Sequence, residues 1–130
     1  MKKKKFEHIL VIEDNEDTQL LLRYLLETKY EISIVTRVDE ALEQVADTVF
    51  DLLLVDINLG EQRTGVDLLN ILRGMDEYAR IPMIALTAYA MPGDFERFIS
   101  MGFDGYIGKP FTRTELYKAI NSILDPEETC

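Results

Sequence analysis

The stretch FDLLLVDIN, residues 50–58, decides the fold. Leu52, Leu53, Leu54 and Val55 form an uninterrupted apolar run, which reads as a strand buried on both faces rather than one with a wet side. Asp56 then stands where the strand should stop. A lone buried carboxylate is costly unless it is paired or bound to a metal. Either Asp56 opens into solvent, or the protein builds something around it.

Working outward from this strand, short apolar runs alternate with amphipathic stretches. HILVIED (8–14) predicts a strand, and NEDTQLLLRYLLETK (15–29) a helix with Leu21, Leu22 and Leu25 on one face. YEISIVT (30–36) is a second strand, followed by the helical VDEALEQVADT (38–48), with Ala41, Leu42 and Val45 pointing one way. After the FDLLLVDIN strand comes GVDLLNILRGMDE (65–77), a helix with Leu68, Leu69 and Leu72 as its stripe. IPMIALTA (81–88) is the fourth strand, PGDFERFISMG (92–102) a short helix closed by Gly102, and GYIG (105–108) a very short fifth strand. TRTELYKAINSIL (112–124) opens on a capping box of Thr112 and Glu115. Strands in strict alternation with helices predict an α/β domain: a doubly wound, flavodoxin-like (βα)5 three-layer sandwich with a parallel sheet of order 2-1-3-4-5. The domain spans 8–124, between a basic tail (1–7) and a polar tail (125–130).

Composition bounds the function. The chain has 130 residues and a net charge of -10, which argues against a broad nucleic-acid surface. Residues 2–5 are its one basic block and read as a solvated tail. No apolar run approaches a membrane span, and no secretory signal is visible. The single cysteine, Cys130, leaves no disulfide framework and no thiolate metal site, in keeping with a cytoplasmic protein.

In such a sheet the C-terminal strand ends share one edge, where ligands bind. Those ends carry Glu13 and Asp14, Asp56, Thr87 and Lys109. Clustered carboxylates repel unless one holds a proton or a cation intervenes. An all-oxygen site suits Mg2+ or the similar Mn2+, and Lys109 and Thr87 suit a second anion's oxygens. The set points to a phosphoryl group on or beside Asp56, with that carboxylate as nucleophile.

VIEDN (11–15), LLLVDIN (52–58), ALTA (85–88) and GYIGKPF (105–111), in this order and each on a strand end, resemble the motifs of response-regulator receiver domains, the phospho-accepting modules of two-component signalling. The resemblance runs from about Ile9 to Leu124. It implies that Asp56 accepts phosphate from a phosphohistidine of a sensor histidine kinase or phosphotransfer protein. Asp14 and Asp56 would bind Mg2+ directly, with the Asn58 backbone carbonyl as a further ligand and Glu13 acting directly or through water. Lys109 would pair with phosphoryl oxygens, Thr87 would bond one of them once phosphate is present, and Tyr106 would rotate inward as Thr87 moves. The Lys109–Pro110 peptide is expected to be cis, and small Ala88 leaves space beside the phosphoryl group. The output would be a changed surface on the fourth helix, fifth strand and fifth helix, read by a protein target, in a monomer or a phosphorylation-dependent dimer. The resemblance fits a stand-alone regulator or a receiver from a larger hybrid kinase.

Two features depart from the family's pattern. Gly60 stands where receivers usually carry proline, and the loop before Gly65 is one residue longer, which predicts greater mobility near Asn58. Tyr89 is bulky beside the pocket and is expected to shield an acyl phosphate from water. Two competing classes fare worse. A haloacid-dehalogenase-type phosphatase needs a second acid two residues after its nucleophile, where this chain has Asn58. An FMN binder needs a hydroxyl-rich phosphate loop, and EDNED (13–17) would repel the phosphate.

Overall fold

The computed structural model describes residues 7–59, 63–88 and 91–125. The basic block at 2–5, Gly60, Tyr89 and residues 126–130 lie outside that set. Strands and helices alternate as predicted: β1 (His8–Ile12), α1 (Glu16–Leu26), β2 (Glu31–Val35), α2 (Val38–Asp47), β3 (Leu52–Asp56), α3 (Gly65–Arg73), β4 (Met83–Thr87), α4 (Asp94–Met101), β5 (Gly105–Gly108) and α5 (Arg113–Leu124). All strand pairs are parallel, in the order β2-β1-β3-β4-β5. The register sets Ile12 opposite both Val35 and Val55, Asp56 opposite Leu86, and Thr87 opposite Gly108, so the strands end together at one edge.

The sheet is covered on both faces, which is why β3 carries no polar residue before Asp56. Leu53 and Val55 pack with Val38, Ala41 and Val45 of α2, Leu68, Leu69 and Leu72 of α3, and Phe98 of α4. Leu52 and Leu54 pack on the opposite face with Leu22, Leu25 and Leu26 of α1 and Leu116 and Ile120 of α5. Each of these four β3 residues is fully buried, a gain of roughly 1.5–3 kcal/mol per aliphatic side chain.

The expected caps form. Asn15 Oδ1 accepts from Thr18 N at 2.9 Å at the start of α1. Thr112 and Glu115 bond reciprocally at the start of α5, and Gly102, at φ +124°, closes α4. Three element readings need correction. The buried stripe of α1 is Leu22, Leu25 and Leu26, while Leu21 is 42% exposed. The leucine-rich run supports two overlapping stripes, and packing against α5, where the Tyr117 hydroxyl donates to the Leu25 carbonyl, selects one. Helix α3 stops at Arg73: the Gly74 N–H is shared between the Asn70 and Ile71 carbonyls, tightening the last turn, and a separate 3-10 turn follows at Asp76–Tyr78. Helix α4 begins only at Asp94, because Gly93 at φ +88° lies in the left-handed region. Among the described residues, no helix is long and apolar enough to cross a membrane.

Candidate functional site

Asp56 does not escape into solvent. It is 3% exposed, and its Oδ1 accepts from the backbone N–H of Asn58 at 2.9 Å. Lys109 Nζ donates to its Oδ2 at 3.1 Å. That ammonium arrives from the far end of the chain: Lys109 follows β5, its own N–H donates to the Thr87 carbonyl at 2.7 Å, and the Lys109–Pro110 peptide is cis, as expected. Thr87 ends β4 at 3% exposure, beside Ala88, which is exposed.

Glu13, just past β1, is the second buried acid, with no exposed surface. Its N–H donates to the Val35 carbonyl, its own carbonyl accepts from the Gln19 side chain at 2.5 Å, and its Oε2 accepts from Asn15 N at 3.0 Å. Its Oε1 lies 3.0 Å from Lys109 Nζ, at ion-pair distance but not aligned as a hydrogen bond. Asp14 is exposed, and its carboxylate completes a trio in which one oxygen each from Glu13, Asp14 and Asp56 lie within 4.8 Å of one another. The structure thus brings together Glu13, Asp14, Asp56, Thr87 and Lys109. Asn58 is exposed beside them, and Tyr89 lies outside the described residues.

The electrostatics follow from burial. Desolvation, reinforced by the Asp56 carboxyl, pushes Glu13 up to about 7 from an ordinary 4.5, against the opposing pull of Asn15 N–H and the Lys109 ammonium. Burial works against the charge on Lys109, but Glu13 and Asp56 together outweigh it and hold the ammonium above its ordinary range. One cation thus serves two buried carboxylates, with a third acid at the rim. A hard divalent ion fits this donor set: every ligating atom is a carboxylate oxygen, and two of the three carboxylates are buried.

Two site residues escape a reading of motifs. Gly65, the first residue of α3, sits so close to β3 that a Cβ there would lie 2.4 Å from the Asp56 carbonyl oxygen and 2.8 Å from Val55 Cγ1. Gln19 ties α1 to the Glu13 carbonyl. The glycine opening a helix is a visible signal, whereas nothing marks Gln19 in sequence.

The profile of the family described as the response regulator receiver domain matches residues 9–121. The chain belongs to that family. Among curated relatives, the polar-differentiation response regulator DivK of Brucella anthropi is 38% identical over 117 residues, covering 89% of this receiver and 94% of its own length. A response regulator of Chloroflexus aurantiacus superposes with a TM-score of 0.85 at 26% identity, over 92% of this chain and 98% of its own. The receiver domain of the sensor histidine kinase PA1611 of Pseudomonas aeruginosa, with a magnesium ion coordinated in its active-site cleft, has a TM-score of 0.82 at 29% identity, over 92% and 98%. The fold is therefore that of CheY-like receivers. As a receiver of two-component signalling, the protein is a switch rather than a classical enzyme.

Proposed function

We propose that this receiver is a cytoplasmic switch in which Asp56 takes a phosphoryl group from a phosphohistidine on a sensor histidine kinase or a histidine phosphotransfer protein. The observation that carries this reading is the buried Asp56 carboxylate, with an ammonium 3.1 Å away and two further acids clustered beside it. An Asp56 oxygen forms the new P–O bond as the P–N bond to the donor imidazole breaks, and that bond's electron pair leaves with the imidazole nitrogen. Lys109, already facing Asp56, pairs with the oxygens of the arriving group, and the Thr87 hydroxyl donates to one of them. Glu13, Asp14, Asp56 and the Asn58 carbonyl would hold Mg2+ or Mn2+. When bound, that cation offsets negative charge on the transferring oxygens and relieves the repulsion among the carboxylates.

The signal then passes through Thr87 and Tyr106 as a shift between two packings. It reaches the face formed by α4, β5 and α5, where Phe95, Tyr106, Ile107, Lys118 and Ala119 line a groove along the sheet edge. A protein target reads that face, in a monomer or a phosphorylation-dependent dimer. The net charge of -10 argues against direct nucleic-acid contact. A second setting, a receiver within a larger kinase, is favoured by the likeness to the PA1611 receiver; immunoblotting the native polypeptide for its length separates the two.

Intact mass after incubation with Mg2+ and acetyl phosphate tests the chemistry. The expected result is one phosphate adduct, absent in Asp56→Asn and absent when EDTA replaces Mg2+. An adduct that survives Asp56→Asn, or continuous hydrolysis of a generic phosphate ester, would overturn the reading.

A further inference from the structure

Beyond the phosphoryl chemistry, we propose that Phe98 is a positioning residue that holds Tyr106 in its inward place, and that the Asp94–Arg97 pair fastens this hold to the start of α4. The proposal rests on the reading of Tyr106 as the moving aromatic, and on a layered arrangement that no motif announces. The Tyr106 ring lies on the Phe98 ring at a centroid distance of 5.5 Å and an interplanar angle of 21°. On the Phe98 ring, in turn, sits the Arg97 guanidinium, 4.6 Å from the centroid. Phe98 itself is 2% exposed and is braced edge-on by Phe103, at 6.0 Å and 85°. It is therefore a fixed plate, and Tyr106 is the movable one.

Two opposing contributions act on Tyr106. Stacking and a shared apolar surface favour the inward ring. Against them stands its hydroxyl, buried and without a hydrogen-bond partner. Desolvation and the nearby Asp94 charge also hold that phenol above its ordinary range, so it stays a neutral, unpaired donor. The two contributions have opposite sign, so the ring's position responds to a change in either one, as a switch element requires. Removing the stack should release the ring outward; removing the hydroxyl should hold it in.

Asp94 ties the plate to the loop next to the phosphorylation edge. Its side chain is 8% exposed, accepts from Met91 N at 2.8 Å, and pairs with Arg97 at 3.3 Å. Met91, just ahead of α4, is thus linked through Asp94 and Arg97 to the ring on which Tyr106 rests.

Fluorine NMR of the full chain labelled with 3-fluorotyrosine tests this, with the Tyr106 signal assigned by its loss in Tyr106→Phe. In metal-free protein, Phe98→Leu should raise the ratio of outward to inward Tyr106 about two- to tenfold, the range that one lost aromatic pair corresponds to. Arg97→Gln, which leaves the core intact, should move it the same way by a smaller factor and serves if Phe98→Leu does not fold. Mg2+ with beryllofluoride then reads the coupling: Phe98→Leu should change beryllofluoride affinity while leaving the affinity for Mg2+ alone unchanged, and should have no further effect in a Tyr106→Ala background. An unmoved Tyr106 signal in both variants overturns the proposal, as does a beryllofluoride effect that persists in full without Tyr106. Failure of the native chain to bind beryllofluoride at all would instead overturn the phospho-acceptor reading. The metal-free Tyr106 signal decides the stacking proposal independently of that result.

Discussion

At the scale of single residues, the site depends on close approach as much as on charge. Gly65 allows the start of α3 to touch the backbone of Asp56, and its N–H donates to the Ile57 carbonyl at 3.2 Å. A side chain there must displace the main chain of β3, because the atom in its way is a backbone oxygen. Gly65→Ala is therefore expected to destabilise the fold by about 1–3 kcal/mol, the usual cost of overpacking, and to weaken Mg2+ binding by shifting Asp56. Urea unfolding and a Mg2+ titration check the two effects; a fully stable variant would show that α3 yields freely. Asp56, Lys109 and the Glu13–Asp14 pair were all legible in the sequence, because strand-end charges in an apolar context have few uses. Gln19 was not, since a helical glutamine carries no sign of the carbonyl it will meet.

At the scale of elements, one side chain ties several of them together at the end of the sheet opposite the site. Arg73, the last residue of α3, donates to the carbonyls of Gly102, Ala79 and Ile81 and pairs with Asp104 at 3.0 Å. Asp104 also accepts from Met83 N at 2.9 Å, so the start of β4, the end of α4 and the end of α3 share a hub. Arg73→Met retains the stem and removes the donors, leaving carbonyls short of partners. A loss of about 2–3 kcal/mol is expected from such charge-assisted bonds, read as a lower urea midpoint with phosphate uptake at Asp56 intact. An unchanged midpoint would mean that water replaces the guanidinium at no cost. The type and order of the elements were readable from hydrophobic period alone. The exact stripe of α1 and the end of α3 were not, because Leu21 and Leu26 are equally apolar in sequence and only the neighbouring α5 and sheet distinguish them.

At the scale of the whole molecule, one buried titration links the site to global stability. Glu13 is held at about 7 in the folded chain against an ordinary 4.5, so between these values the folded protein keeps a proton that the unfolded chain has released. More protons bound in the folded state means that stability falls as pH rises through that window, by up to about 3 kcal/mol, and levels off above about 7. Urea unfolding in EDTA at pH 5 and pH 8 should therefore find the metal-free protein more stable at the lower pH. Asp56→Asn should flatten the slope, and Mg2+ should flatten it too by replacing the proton as the counter-charge. Stability rising across the window would overturn this account.

The sequence by itself determined the alternation of strand and helix, the doubly buried β3 and the identity of the charged groups at the strand ends. Hydrophobic period and strand-end chemistry are local properties, written into a few residues at a time. Only the tertiary structure decided that Glu13 is buried with no exposed surface, that one lysine serves two carboxylates, that Gly65 must be a glycine, and that Tyr106 rests on Phe98. Each of these is a contact between elements distant in the chain. Its energy depends on how closely they approach and how much water they exclude, and neither quantity is set by the order of residues within any one element.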